Sequence, residues 1–224
     1  MYRLIFKRLI DFTVALISII LLSPIYLIIA ILVRVKLGSP VIFTQERPGK
    51  DEVIFKMYKF RSMSSEVDDD GNLLPDEVRL TPFGKKLRAT SLDELPELFN
   101  ILKGDMSIVG PRPQLIKDII FMDDYQRRRH TVRQGLTGLA QVKGRNNISW
   151  EDRLKYDIEY ISHITLYNDF KILLNTVISV IKKDGISTDG MATSEDYGDY
   201  LLRTNQISRE LYDKTIKGWY SNGK

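Results

Sequence analysis

Residues 12–33 read FTVALISIILLSPIYLIIAILV, 22 consecutive positions without a charged side chain. As one straight helix this stretch would be about 33 Å long, enough to cross the hydrocarbon core of a bilayer. Ser23-Pro24 stands at its midpoint. Proline removes a backbone donor, clashes with the carbonyl four residues back and pushes the residue before it away from helix. Each half is then about 15–18 Å long, half a bilayer. The flanks are basic on both sides: Arg3, Lys7 and Arg8 come before, Arg34 and Lys36 directly after. A cleaved signal peptide would have a shorter apolar core and a small-residue cleavage site, whereas Val33 runs straight into Arg-Val-Lys. A spanning helix should carry its basic residues mainly on one side. A helix that breaks at Ser23-Pro24 and leaves by the leaflet it entered explains the symmetry. The Ser23 hydroxyl would then serve carbonyls freed by the break. A spanning helix with a tolerated proline kink stays open beside it.

The charge balance agrees with a membrane surface. The chain has 224 residues, with 33 Lys+Arg against 29 Asp+Glu, a formal charge of +4. The first fifty carry seven basic and two acidic side chains, a net of +5; the other 174 carry 26 and 27, a net of −1. A nucleic-acid binder would show a basic body, and this body is neutral, so a phospholipid bilayer is the expected partner and nucleic acid is not. With 43% hydrophobic and 28% charged residues, the chain is neither disordered nor polytopic. The absence of cysteine excludes disulfides, thiolate metal sites and a thiol nucleophile. The length suits one domain with an appendage.

Past the apolar segment, VIFTQ and VIFKMYKFRSM flank a turn at Arg47-Pro48-Gly49-Lys50 and read as a hairpin over residues 40–63. Residues 64–78 form an acidic loop. A helix is expected over 91–103, with Ser91 as N-cap, an apolar stripe of Leu92, Leu95, Phe99 and Leu102, and Gly104 as its stop. GDMSIVGPRP is then a rigid loop, followed by an amphipathic helix over 114–130 and a turn-rich stretch, RQGLTGLAQVKGRN. A further helix starts near Ser149. Residues 169–183 form a helix apolar enough either for a core or for a lipid interface. A polar tail, 186–224, carries a short helix at 208–220. The fold class is α+β: a broken membrane helix (1–38), a small hairpin within a mostly helical domain (39–190), and a C-terminal extension (191–224).

The chemistry concentrates in Ser91-Leu92-Asp93-Glu94-Leu95-Pro96-Glu97. On a helix, Asp93 and Glu94 fall in the first turn, away from the apolar stripe, where the partial positive charge favours their ionised forms. Such a pair is both a good Mg²⁺ site and a usable nucleophile. Ser91-x-x-Glu94 is equally the pattern of a capping box, a purely structural role. Cations accompany the pair: Lys59 and Arg61 at the end of the hairpin, Arg88 before the helix, and Arg112 between two prolines. Arg133, Lys143 and Arg145 lie in the Gly-rich stretch with Gln141 and Asn146. Carboxylates beside several guanidinium groups suit a metal-bound diphosphate, although each cation alone fits a solvated surface equally well. Glu66, Asp68, Asp70, Gly71 and Glu77 approach an EF-hand spacing, but the preceding strand pattern and Pro75 favour an ordinary acidic loop. Arg127-Arg128-Arg129-His130 reads as a helix end facing solvent or lipid phosphate. Two histidines, His130 and His163, are too few for His-based metal clusters, and no Walker-type or dinucleotide-binding glycine loop occurs.

Taken together, Phe6-Lys7-Arg8 with Asp11, the Ser23-Pro24 break, FTQERPG, FKMYKFRSM, SLDELPELFNILKGDMSIVGPRP and RQGLTGLAQVKGRN resemble the bacterial sugar transferase family, the monotopic phosphoglycosyl transferases, over nearly all of residues 1–190. The likeness is greatest to the members that initiate bacterial N-linked glycosylation. It implies a re-entrant membrane helix and a catalytic domain on the cytoplasmic face of the bacterial inner membrane. It also implies amphipathic interfacial helices, such as 114–130 and 169–183, holding the site level with the lipid phosphate. The implied substrates are a UDP-sugar, such as UDP-N,N′-diacetylbacillosamine or another UDP-N-acetyl-amino sugar, and polyprenol (undecaprenyl) phosphate. UMP is the implied product beside a polyprenyl diphosphate sugar, the start of glycoconjugate or exopolysaccharide assembly. Asp93 would be the nucleophile that forms a covalent phosphosugar intermediate, with Mg²⁺ near Asp93 and Glu94. Arg112 matches a phosphate-site arginine, and Lys59, Arg88, Gln141 and Arg145 are weaker matches for substrate or head-group contact. Downstream glycosyltransferases are implied partners. The rival from another class is a membrane-anchored scaffold that keeps the fold without the chemistry.

Overall fold

The apolar segment folds as two helices, α1 (Lys7–Leu21) and α2 (Ser23–Leu37), bent by 65°. The bend centres on Leu22, one residue before the expected point, so that Ser23 and Pro24 form the first turn of α2. Proline fits there because the first turn of a helix has no use for its missing N–H. The carbonyl that Pro24 leaves without a partner is that of Ile20, and the Ser23 hydroxyl donates to it at 2.8 Å. In this computed structural model, which describes residues 1–144, 148–182 and 195–221, no single described helix is long and apolar enough to cross a membrane; the bent pair together has the length and composition to do so.

Each half of the pair buries one face and exposes the other. On α1, Asp11 and Ala15 are buried and Ile19 packs beside them, a spacing of four. On α2, Ile29 and Val33 are buried, with Tyr26, Ala30 and Leu37 in the same cluster. The opposite faces present Phe12, Leu16, Ile20, Leu27, Ile28, Ile31 and Leu32 to the outside. Polar fasteners hold α1 to the domain. Asp11 accepts from the Ser107 hydroxyl (2.7 Å) and the Ile108 N–H (3.1 Å), and Arg8 donates to the carbonyls of Ile101 and Leu102. Lys7 pairs with Asp169 at 2.7 Å.

The expected hairpin is present as antiparallel β1 (Ile42–Pro48) and β2 (Ile54–Phe60), with Ile42 opposite Phe60 and Pro48 opposite Ile54. Its turn lies later than expected, because Arg47 and Pro48 still pair; Gly49 closes it by donating to the Val53 carbonyl. The acidic loop carries a one-turn helix, α3 (Asp76–Arg79), and its Asp68 carboxylate is spent on the N–H groups of Asp70 and Asn72. A helix not foreseen in the sequence, α4 (Pro82–Ala89), follows, capped by the Thr81 hydroxyl.

Further expectations are corrected. The single helix over 91–103 is a 3₁₀ turn, Leu92–Glu94, and then α5 (Glu97–Lys103), separated at Pro96. Its buried face is Leu98 and Ile101, while Phe99 is 40% exposed. The rigid loop contains a strand, β3 (Met106–Val109), and the turn-rich stretch contains its parallel partner β4 (Gln134–Thr137) and α8 (Leu139–Gly144). The helix over 114–130 is instead α6 (Ile116–Ile119), α7 (Asp124–Arg127) and a 3₁₀ turn, Arg128–Thr131. It breaks because Asp123 starts α7 with a capping box, exchanging bonds with Gln126. Arg129 and His130 face the core rather than solvent, with Arg129 fully buried.

The later helices are α9 (Trp150–Ser162, capped by Ser149), α10 (Leu166–Lys182), α11 (Tyr197–Arg203) and α12 (Arg209–Ser221). The main core joins α1, α5, β3, α9 and α10. The described part of the tail docks on the domain: Tyr197 and Leu201 pack with Met122, Trp150 and Leu154. The expected boundary near residue 190 lies outside the described residues.

Candidate active site

Three elements converge on residues 93–97. Ser91 takes a left-handed conformation (φ 54°) and makes no side-chain cap bond, so the capping box is not formed. The turn it starts sends Leu92 and Leu95 into the apolar cluster around Phe60, Leu87 and Val33. Asp93 and Glu94 are thereby directed inward, against the expectation that they point away from apolar surroundings. The Tyr26 hydroxyl, from α2, donates to the Leu95 carbonyl at 2.5 Å and ties the bent pair to this turn.

Glu94 is fully engaged on one oxygen. Its Oε1 accepts from Lys59 of β2 (2.8 Å) and from Arg112 (2.5 Å). Lys59 also reaches Glu97 at 3.2 Å, so one ammonium bridges two carboxylates. Asp93, 7% exposed, has no hydrogen bond or ion pair among the described residues. The cations act on it through space: Lys59, Arg88 and Arg112 all favour its charge.

These surroundings split the carboxyls. Burial, and then the Glu94 charge, push Asp93 up to about 6 despite the three cations. Burial would raise Glu94 as well, but Arg112 and Lys59 outweigh it and hold that carboxyl well below the usual range. Burial raises Glu97 to about 7, with Lys59 opposing. Arg112 is raised above the ordinary guanidinium value by Glu94. At neutral pH the centre therefore holds an ionised Asp93, unbonded among the described residues, beside a Glu94 locked by two cations.

Arg112 is itself held by its backbone. Pro111 and Pro113 flank it, Gly110 donates to Thr137, and Gly135 donates to the Pro111 carbonyl. A Cβ at Gly135 would lie 2.1 Å from the Gly110 nitrogen, so only glycine lets β4 approach this closely. From the core, Arg129 donates to the Arg112 carbonyl (2.5 Å) and pairs with Asp157 (2.8 Å). Burial, and then the Arg129 charge, lower His130 to about 3, which keeps it neutral beside that guanidinium. Arg129, Asp157, Glu97 and Tyr26 were not singled out in the sequence. Nothing distinguishes Arg129 from its two arginine neighbours until the fold buries it.

Of the expected site residues, Asp93, Glu94, Lys59 and Arg112 come together. Arg88 approaches Asp93 electrostatically while its Nε donates to Ser62 at 2.9 Å. Arg61 turns away to Ser39 and Ser65, and Arg133 to Gly104. Gln141 donates to the Leu136 carbonyl rather than to the carboxylate cluster. Arg145 and Asn146 lie outside the described residues. For a metal, the described residues contain no group of three or more acidic or histidine ligands. They do offer Asp93 and the second oxygen of Glu94, which accepts no bond among them. One or two carboxylates completed by substrate phosphates and water is how Mg²⁺ is usually held, so the pair fits that ion.

The family model described as bacterial sugar transferase matches residues 2–183. An uncharacterized sugar transferase, EpsL, of Bacillus subtilis is 47% identical over 194 residues, 87% of this chain and 96% of its own length. A UDP-glucose:undecaprenyl-phosphate glucose-1-phosphate transferase of Klebsiella pneumoniae is 41% identical over 78% of this chain and 40% of its own. A UDP-N-acetylgalactosamine-undecaprenyl-phosphate N-acetylgalactosaminephosphotransferase of Aeromonas hydrophila is 37% identical over 78% and 43%. The chain thus matches nearly all of the Bacillus protein and under half the length of the two named for a reaction. It belongs to the bacterial sugar transferase family.

Proposed function

We propose that this family member transfers a sugar 1-phosphate from a UDP-sugar to polyprenyl phosphate at a membrane surface. The observation that carries the reading is the Asp93 carboxylate, buried, with no hydrogen bond or ion pair among the described residues and favoured in its charged form by three cations, next to a Glu94 that is fixed in place. An Asp93 oxygen attacks the β-phosphorus, a P–O bond forms, and the bridging P–O bond to the α-phosphate breaks to release UMP. An oxygen of polyprenyl phosphate then attacks the same phosphorus and breaks its bond to Asp93, regenerating the carboxylate and giving polyprenyl diphosphate sugar. Arg112 and Lys59, already balanced by Glu94, hold positive charge where the transferred phosphoryl group gains negative charge. Asp93 and Glu94 would hold Mg²⁺, which offsets diphosphate charge when bound.

The membrane reading completes this. The exposed faces of α1 and α2 would lie in one leaflet of the bacterial inner membrane, with both ends on the cytoplasmic side. The exposed Leu166, Phe170, Leu174 and Val177 on α10 would rest at the interface. The relatives' names cover glucose and N-acetylgalactosamine donors, so the sugar here is a UDP-hexose or UDP-N-acetyl-amino sugar, with diacetylbacillosamine one candidate. The product would feed glycosyltransferases that extend a lipid-linked glycan.

A panel of UDP-sugars, supplied with polyprenyl phosphate and Mg²⁺, tests the reading. The expected result is UMP release with one or more sugars, and loss of both turnover and the phosphosugar adduct in Asp93→Asn. Release of UDP would mean a conventional glycosyltransferase; no nucleotide from any donor would favour a membrane-anchored scaffold.

A further inference from the structure

Arg127, Arg128 and Arg129 are consecutive in the sequence, and of the three only Arg129 has its guanidinium in the core. Burying such a group is costly, because its charge leaves water, and it persists only where its donors are taken up. All three nitrogens of Arg129 are engaged. Nε and Nη2 donate to Asp157 on α9 at 2.9 and 2.8 Å, Nη1 lies 3.2 Å from His130 Nε2, and Nη2 also donates to the Arg112 carbonyl at 2.5 Å. Arginine carries only donors, so His130 Nε2 accepts and its ring is neutral. Gln134 of β4 donates to the Arg129 carbonyl at 3.3 Å. Arg129 is thus held by α9 at its side chain and by β4 at its backbone.

Apolar side chains of similar volume often stabilise a core as well as a buried ion pair does, so stability alone is a weak reason for this one. The peptide that Arg129 grips supplies a better reason. Arg112 precedes Pro113, so the bond between them has no N–H and its carbonyl is its one hydrogen-bonding group. The flanking prolines fix φ at 111 and 113, and Pro113 restricts Arg112 to extended conformations. What they leave free is the angle of that peptide to the Arg112 Cα, and with it the direction of the side chain. Arg129 sets that angle through the carbonyl. The side chain so aimed reaches Glu94 at 2.5 Å, next to Asp93, and is 40% exposed, which leaves it open to a ligand as well.

We propose that Arg129, balanced by Asp157, is a positioning residue: by holding the Arg112–Pro113 peptide it keeps the Arg112 guanidinium where the transferred phosphoryl group gains charge. The proposal rests on the phosphotransferase reading of the site. Its test uses the full chain in phospholipid nanodiscs, with rates compared at a temperature where each variant is folded. Arg129→Lys keeps the charge but lacks the planar fork. Adduct formation from UDP-sugar should slow about tenfold, within the range that small misplacements cost. In an Arg112→Lys background the same change should slow it less than about twofold, because the group it positions is gone. Equal slowing in both backgrounds, or none in either, would overturn the positioning role. Arg129→Met combined with Asp157→Leu separates placement from folding. This pair removes both buried charges and should melt no earlier than wild type, yet adduct formation should remain slow. Full activity in that paired variant would make the ion pair merely structural. NMR of 15N-labelled arginine reads the same point without turnover. The Arg112 guanidinium signal, identified by its loss in Arg112→Lys, should be protected from hydrogen exchange in wild type and unprotected in the paired variant. Retained protection would overturn the proposal. Lost protection in a protein whose wild type releases no UMP would count against the activity and leave the positioning standing.

Discussion

Between the adjacent residues Asp93 and Glu94 the surroundings reverse their effect, one carboxyl being raised to about 6 and the other held low by Arg112 and Lys59. An acid raised in the folded state is most compatible with folding while protonated, below its unfolded value near 4. It costs stability as pH rises through about 6. Catalysis needs the opposite form, so UMP release should climb with pH through about 6 and then level off. Asp93→Asn removes that buried charge. It should raise Tm at pH 8, by up to about 3 kcal/mol in stability, and leave it nearly unchanged at pH 4, as followed by thermal unfolding. An equal gain at both pH values would contradict the raised acid. Ser91 supplies a second check. A true N-cap loses about 1 kcal/mol on truncation to alanine. Thr81→Ala should show that loss in denaturant unfolding and Ser91→Ala should not, because only Thr81 makes the capping bond.

At the scale of elements, legibility followed the range of the determining interactions. The broken apolar pair, the hairpin, α9 from its Ser149 cap and α10 rest on local patterns, and each is present in the structure. The helix over 91–103 divides because of partners elsewhere: Pro96 is locally visible, but Glu94 abandons the cap for Lys59 and Arg112, 35 and 18 residues away. The helix over 114–130 divides for a local reason that its apolar periodicity concealed, the capping box of Asp123 with Gln126. The strand at Met106–Val109 needs β4 to exist at all. The candidate site was readable to the same degree. Asp93, Glu94 and Arg112 stand in one run of sequence, while Glu97 ends that run with no role marked by the pattern and Arg129 reads as part of an exposed basic cluster. The proposal that the bent pair is re-entrant makes its own prediction. In this cysteine-free chain, Arg3→Cys and Lys36→Cys should both react with a membrane-impermeant maleimide from the cytoplasmic side. Reaction from opposite sides would establish a spanning helix.

At the scale of the whole molecule, the tail after residue 194 is part of the fold. Tyr197 donates its N–H to Asp118, its ring lies 4.9 Å from that of Trp150, and Leu201 is buried between them and Met122. Leu201→Ala should cost about 2–5 kcal/mol, read as a fall in Tm, although it lies beyond the 2–183 stretch that the family model matches. A change within experimental error would mean the extension only rests on the surface. The fasteners on α1 carry a consequence for how the protein is made. Asp11 closes on Ser107 across 96 residues and Lys7 on Asp169 across 162. At the usual pace of about 5–20 residues per second, a ribosome needs roughly 5–20 s after Asp11 before its partner emerges. The bent apolar pair is therefore synthesised while its own polar contacts are still unmade, and the later chain has to assemble onto it.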